Sequence, residues 1–159
     1  MKKNKAIILL IIAIFAYGSL LHSKAFLEQN EGVKAAPQQA RVSEEQLMAR
    51  AINGEARGEP YIGKVAVGAV IINRTKDSRF PKTIAGVIYQ PGAFTAVSDG
   101  QINLPVDPKS DVLKAARDAM NGWDPTDGCV YYFNPATATN KWIWSKAIIK
   151  KIGKHNFAK

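Results

Sequence analysis

Apolar residues fall into three regimes along the chain. From Ala6 to Leu21 they run with no polar face, interrupted only by Gly18 and Ser19 and headed by Lys2, Lys3 and Lys5. From Leu47 they recur at helical intervals, and beyond Gly128 they sit among turn residues in short strand-like groups. The first regime has the form of an export signal, since lysines followed by a uniformly apolar run are what a translocon reads. It is short of the roughly 20 residues that span a bilayer comfortably, so both a cleaved peptide and a retained anchor are open, with Ser23-Lys24-Ala25 as a small-x-small cleavage site. The bland alternative is a buried core helix.

The second regime predicts a run of helices. Ser43 and Gln46 have capping-box spacing, and Leu47, Met48, Ala51 and Ile52 then mark a helix over 44–58 that stops at Gly58 and Pro60. Ile62 to Ile72 is apolar on all sides, which suits a helix buried at the centre, although its Val and Ile content leaves a strand open. Thr83 to Tyr89 reads as a short helix, Pro91-Gly92 as a turn, and Ser98 to Pro105 as a loop. Asp107-Pro108 is a cap followed by proline at a first helical position. Val112, Leu113, Ala116, Ala119 and Met120 then form one stripe up to Gly122.

The third regime begins with turn chemistry at Asp124 to Gly128. A strand over Cys129 to Phe133 follows, then a break at Asn134-Pro135, and further short strands through Trp142, Trp144 and Phe157. Helices first and short antiparallel strands later predict an α+β domain over 43–159, preceded by an N-terminal hydrophobic helix. Residues 1–25 are read as the signal peptide or membrane anchor. Residues 26–42, which mix Gln, Ala, Gly, Pro and charges without an apolar period, form a linker.

Composition changes this picture in two places. The 159 residues carry 22 Lys and Arg against 13 Asp and Glu, for +9, and no acid follows Asp127, whereas six lysines do. For an exported chain that basic flank suits an anionic wall polymer rather than nucleic acid. His22 and His155 are the only imidazoles and Cys129 is the only cysteine. No multi-histidine metal site, no intramolecular disulfide and no cofactor are therefore expected, and the domain is held by core packing.

Candidate chemistry centres on Glu55, which extends the apolar stripe Met48, Ala51, Ile52 by one further helical step. A carboxylate on that face is paired, opens into a cleft, or is neutralised by a raised pKa. The last two together describe a general acid; the first describes a structural ion pair, with Arg74 as the candidate partner. Gly54 and Gly58 leave backbone room for a ligand. Glu59, just before Pro60, reads as a turn residue on the rim. Cys129 with His155 is the minimum for a cysteine peptidase of wall peptides, set against the plainer reading of a buried thiol and a hydrogen-bonded structural histidine. Aromatics interleaved with amides suit sugar stacking and hydroxyl recognition, which singles out Phe94, Gln101, Tyr132, Asn134 and Trp142 as substrate-binding candidates.

Three long segments now carry a resemblance: ARAINGEARGEPYIGKVAVGAVIIN (49–73), Tyr89 to Val97 with Asp99-Gly100-Gln101, and the close FNPATATNKWIW…IGKHNF. The chain over 44–159 resembles the spore cortex-lytic cell-wall hydrolase family (SleB/CwlJ type). The resemblance implies a peptidoglycan hydrolase of a spore-forming bacterium, acting outside the cytoplasm on wall or cortex glycan, in a fold similar to lysozymes and lytic transglycosylases. It implies Glu55 as the catalytic carboxylate. The expected partners are peptidoglycan glycan strands, with room for membrane anchoring and for a spore or wall protein, in a monomer. Family members often add a wall-binding repeat domain, and here only the short linker precedes the domain. Because no second carboxylate stands out, a single-acid lytic transglycosylase is favoured over a two-carboxylate glycosidase. A non-catalytic wall-binding or germination-assembly module is the alternative.

Overall fold

The computed structural model describes residues 40–41 and 43–159. The 1–25 export segment and all of the 26–42 linker except 40 and 41 lie outside the described residues. The chain divides between Arg41 and Val42, and the fold is that of the second unit. Among the described residues no helix is long and apolar enough to cross a membrane.

Helix α1 occupies 43–56, so Ser43 is helical and not the cap its spacing to Gln46 suggested. After a turn at 57–59, α2 (Tyr61–Lys76) runs through the centre of the domain, buried from Gly63 to Ile71. Its all-round apolarity has a direct cause. Val65, Val67 and Ile71 pack with Met48 and Ile52 of α1 and with residues of the later helices. Ala66 and Val70 pack instead with Cys129, Ile152 and Phe157 of the strand region. A helix with apolar neighbours on two sides needs no polar face. Gly68 lets the helices close up, since a Cβ there would come within 2.9 Å of Ala119 Cβ and 3.1 Å of Ile52 Cδ1.

Short helices α3 (Ile84–Ile88) and α4 (Thr95–Ser98) follow, then a 3-10 turn over Gln101–Asn103. Thr83 caps α3 by accepting from the Gly86 N–H, and the positive φ of Gly92 makes the predicted turn. The segment read as one loop from Ser98 is thus partly helical. Helix α5 (Asp111–Met120) begins later than expected, with Ser110 at its N-cap. Asp107 is spent on a separate turn, its carboxylate accepting from Lys109 N and its carbonyl from Ser110 N. Polar links fix α5 in place: Arg117 to Glu45 at 2.7 Å, Lys64 to Asp111 at 2.7 Å, and the Tyr61 hydroxyl donating to Asp118 at 2.6 Å.

The strands β1 (Tyr131–Phe133), β2 (Ile148–Ile152) and β3 (His155–Ala158) form one antiparallel sheet in the order β1-β3-β2. Trp142 and Trp144 are not in strands. They lie on a 3-10 turn, Lys141–Ser145, about half exposed, because Asn140 caps that turn through Trp142 N. Helices first and strands later is the observed α+β order.

Two carboxylates hold the sheet region in register. Asp124 accepts from Thr126 N and Oγ1, from Gly128 N and from Asn73 Nδ2 of α2, all within 2.9 Å. Burial opposes ionisation of Asp124, yet the bonds from Thr126 and Asn73 hold its carboxyl below the usual range. Glu59 is buried, not on the rim. Its Oε2 accepts from Lys154 N at 2.9 Å and lies where a Cβ on Gly153 would be, so it clamps the β2–β3 turn against the start of α2.

Candidate active site

Glu55 lies on the last turn of α1, one helical step past Met48, Ala51 and Ile52, which are fully buried. The stripe runs out of core at this point, and the half-buried carboxylate faces a cleft of about 450 Å³. That volume is within the ordinary range of small-ligand sites. Glu55 Oε1 accepts from the Ala96 backbone N–H at 2.9 Å, and Oε2 accepts from the Tyr132 hydroxyl at 3.1 Å. The first bond satisfies a donor in the opening turn of α4 that has no partner within the helix. Gly54 makes it reachable, because a Cβ on Gly54 would collide with the Ala96 Cβ. The Cβ direction at Gly54 is thus taken by α4, while its backbone lines the cleft, and nothing lies within 4 Å of a Cβ at Gly58.

Among the described residues no ion pair joins Glu55 to Arg74. Arg74, on the last turn of α2, donates from Nε to the Val130 carbonyl at 2.7 Å, with its guanidinium 5.2 Å from the Phe80 ring centre and 5.4 Å from that of Phe94. Burial pulls its pKa down, against the opposing influence of Tyr132, Tyr131 and Glu55. Facing Glu55, Tyr132 is packed edge-on to His155 at 5.3 Å and is flanked by Phe157 and Phe94. Burial and the neighbouring Glu55 charge push the Tyr132 hydroxyl well above its usual value, so it stays a protonated donor. His155 is 8% exposed, and its Nδ1 is buried without a hydrogen-bond partner, contrary to a hydrogen-bonded structural role. Burial lowers its pKa despite Glu59 and Glu55.

Of the five residues singled out for sugar contact, Gln101, Tyr132 and Asn134 line the cleft. Phe94 is buried beneath Arg74 and is not on the cleft wall, and Trp142 is outside it, edge-on to Tyr131 with Lys146 Nζ 4.3 Å from its ring centre. The cleft also takes in Arg74, Thr95, Asp99, Thr137 and His155, which periodicity could not single out. Asp99 is a second carboxylate there, with one oxygen accepting from Gln101 N and the other from Gln101 Nε2. Cys129 is fully buried in the core between α2 and the sheet, and burial raises its thiol pKa. Strand register puts His155 opposite position 134, five residues from Cys129, on the order of 16 Å at ~3.3 Å per residue. The two do not form a catalytic pair.

A family model described as Cell Wall Hydrolase matches residues 58–158, beginning just after Glu55. The chain is 56% identical over 131 residues to the spore cortex-lytic enzyme of Bacillus cereus, covering 82% of this chain and 49% of that protein. To the cell wall hydrolase CwlJ of Bacillus subtilis it is 33% identical over 118 residues, covering 70% of this chain and 81% of CwlJ. The solved catalytic domain of a germination-specific lytic transglycosylase, SleB from Bacillus anthracis, superposes with a TM-score of 0.70 at 59% identity. That match covers 73% of this chain and 93% of the solved one. The chain spans about half, or less, of the length of the spore cortex-lytic relatives it matches.

Proposed function

The chain belongs to the cell wall hydrolase family, together with spore cortex-lytic enzymes and CwlJ, and from that premise we propose that it cleaves peptidoglycan glycan strands as a single-acid lytic transglycosylase. Its setting is germination or wall remodelling, outside the cytoplasm. The observation that carries this reading is the Glu55 carboxylate, held between a backbone N–H and the Tyr132 hydroxyl at the cleft surface with no cation bonded to it among the described residues.

Glu55 gives its proton to the glycosidic oxygen linking muramic acid to N-acetylglucosamine, and the C1–O bond breaks. Glu55 then takes the proton of the muramic 6-hydroxyl as that oxygen bonds to C1, leaving a 1,6-anhydro end. Acid and base are one group in succession, so no second carboxylate is needed. Asp99 is the other carboxylate of the cleft, and its two oxygens accept from the backbone N–H and the side-chain amide of Gln101. Ala96 N–H and the Tyr132 hydroxyl fix the carboxylate's rotamer, which is the orientation such a transfer requires. Gln101 and Asn134 offer amides to sugar hydroxyl and acetamido groups. The kinship to lysozyme-like folds belongs to the same proposal.

The test is mass analysis of fragments released from purified wall by the wild-type protein and by Glu55→Gln. Anhydro-muropeptides with the wild type and none with the variant are expected. Fragments heavier by one water would replace the transglycosylase by a hydrolase. Activity that survives Glu55→Gln, or that thiol alkylation abolishes, would overturn the assignment, and binding without release would mark a wall-binding module.

A further inference from the structure

Arg74 is the one permanent cation among the cleft-lining residues, and its surroundings are unusual for a structural arginine. The side chain is buried, 8% exposed, and no carboxylate pairs with it among the described residues. A guanidinium taken from water without an acidic partner is costly. What holds it is a single bond from Nε to the Val130 carbonyl and the faces of Phe80 and Phe94. Those contacts fix the plane of the fork and use only one of its three nitrogens. Nη1 and Nη2 make no hydrogen bond, yet neither is among the buried side-chain atoms left without a partner, which are Arg50 Nε, Ser110 Oγ and His155 Nδ1. Neither is sealed in the interior, and Arg74 lines the cleft that holds Glu55.

A rigid, planar, two-pronged donor facing a cleft matches the geometry of a carboxylate. No other cleft-lining residue carries a permanent positive charge, so an anion entering the cleft has Arg74 as its destination. We propose that Arg74 recognises a carboxylate on the muramoyl side arm of the glycan, taking it on Nη1 and Nη2 and so setting the muramoyl residue against Glu55. This rests on the glycan-cleaving reading and adds what that reading lacks, a reason to prefer muramoyl over N-acetylglucosaminyl units in the subsite beside Glu55. The carboxylate has two sources, the lactyl group itself where the peptide is absent, or the peptide attached to it.

The experiment measures binding by calorimetry to the full-length Glu55→Gln protein, which separates recognition from cleavage. The probes are a chito-oligosaccharide, a muramoyl-containing oligosaccharide with free lactyl carboxylate, its methyl ester, and peptide-bearing strands with free or esterified peptide carboxyls. The free acid should bind at least 10-fold tighter than its ester and than the chito-oligosaccharide, the scale of one charge-assisted bidentate contact. Arg74→Gln should erase the difference and Arg74→Lys should keep part of it. An acid-over-ester preference confined to the peptide arm assigns the carboxylate to the peptide, and one confined to the bare oligosaccharide assigns it to the lactyl group. Equal binding of acids and esters overturns the proposal without any substitution at Arg74, so a poorly folding variant leaves it decided. A preference that persists in Arg74→Gln overturns it as well. If the wild type releases no fragments while the acid preference holds, the cleavage reading fails and the recognition proposal stands.

Discussion

The two walls of the cleft are built on different physics. The Glu55 wall is a helix end placed by apolar packing, with α1 lying on α2 through Met48, Ala51 and Ile52 and held close by Gly68, where a Cβ would come within 3.1 Å of Ile52 Cδ1. The facing wall, with Tyr132, Asn134 and His155, belongs to a small sheet whose strands are three to five residues long. So small a sheet gains little from packing alone, and it hangs on carboxylates bonded to backbone N–H groups at Asp124 and Glu59. A packed wall tolerates substitutions that keep volume. A wall hung on a few polar bonds weakens when one acceptor is removed, because several donors lose their partner at once.

The sharpest way to break this contrast is at Asp124. Asp124→Ala takes the acceptor from the Thr126 N–H and hydroxyl and from the Gly128 N–H, and leaves the Asn73 amide only the Cys129 carbonyl; a loss of about 3 kcal/mol in urea unfolding is expected from several charge-assisted bonds. A loss of Ile52→Val size, about 1 kcal/mol, would place the sheet's stability in its apolar contacts instead.

Next in size is Gly54→Ala, which tests where the walls meet. Alanine adds about 1 kcal/mol of helix propensity to α1, but its Cβ must displace Ala96 and with it the N–H that holds Glu55 Oε1. Wall lysis is expected to fall roughly 100-fold, about 2.7 kcal/mol of barrier. Unchanged lysis would mean that the Ala96 bond does not orient the acid. Tyr132→Phe removes the bond to Oε2 from the other side and keeps the ring against His155. About a tenfold loss of rate, ~1.4 kcal/mol, with unfolding midpoint unchanged is the expected outcome.

The same contrast explains what could be read from the residues alone. Packing writes itself into a sequence as period, so α1, the buried α2 and the α5 stripe were legible, and with them Glu55 at the end of the first stripe. Its bond to Ala96 was not, because it joins positions 41 residues apart through a glycine's missing side chain. Residue type led to Gln101, Tyr132 and Asn134, which line the cleft, and equally to Phe94 and Trp142, which do not. Arg74 was visible only as a partner for Glu55, since nothing in its spacing reveals that Val130 and two phenylalanines occupy it. Asp107-Pro108 carries a helix-start signal that a local turn absorbed. Tryptophans 142 and 144 carry strand propensity that the Asn140 cap overrode. Glu59 looked like a rim residue because its partner, the Lys154 N–H, is 95 positions away.

The smallest expected effect is on pH dependence, and it isolates the sheet wall from the helical one. His155 faces Glu59 from the turn before α2, Glu55 from α1, Lys154 from the hairpin turn, and the rings of Tyr132 and Phe157. Burial outweighs the two acids and sets its folded pKa below the unfolded value of about 6.5. Between those two values the unfolded chain binds a proton that the folded chain refuses, so unfolding free energy is full above about pH 6.5 and declines as pH falls through that window. The carboxyls of Asp124 and Asp77, held low by hydrogen bonds, act in the same direction but only below about pH 3.8, Asp77 down to about 2. The thermal unfolding midpoint of the wild type should therefore begin to decline near pH 6.5, ahead of the carboxyl decline below about pH 3.8. His155→Gln should flatten the upper one and leave the lower one in place, whereas an upper decline that survives the substitution would assign it to a group other than this buried imidazole.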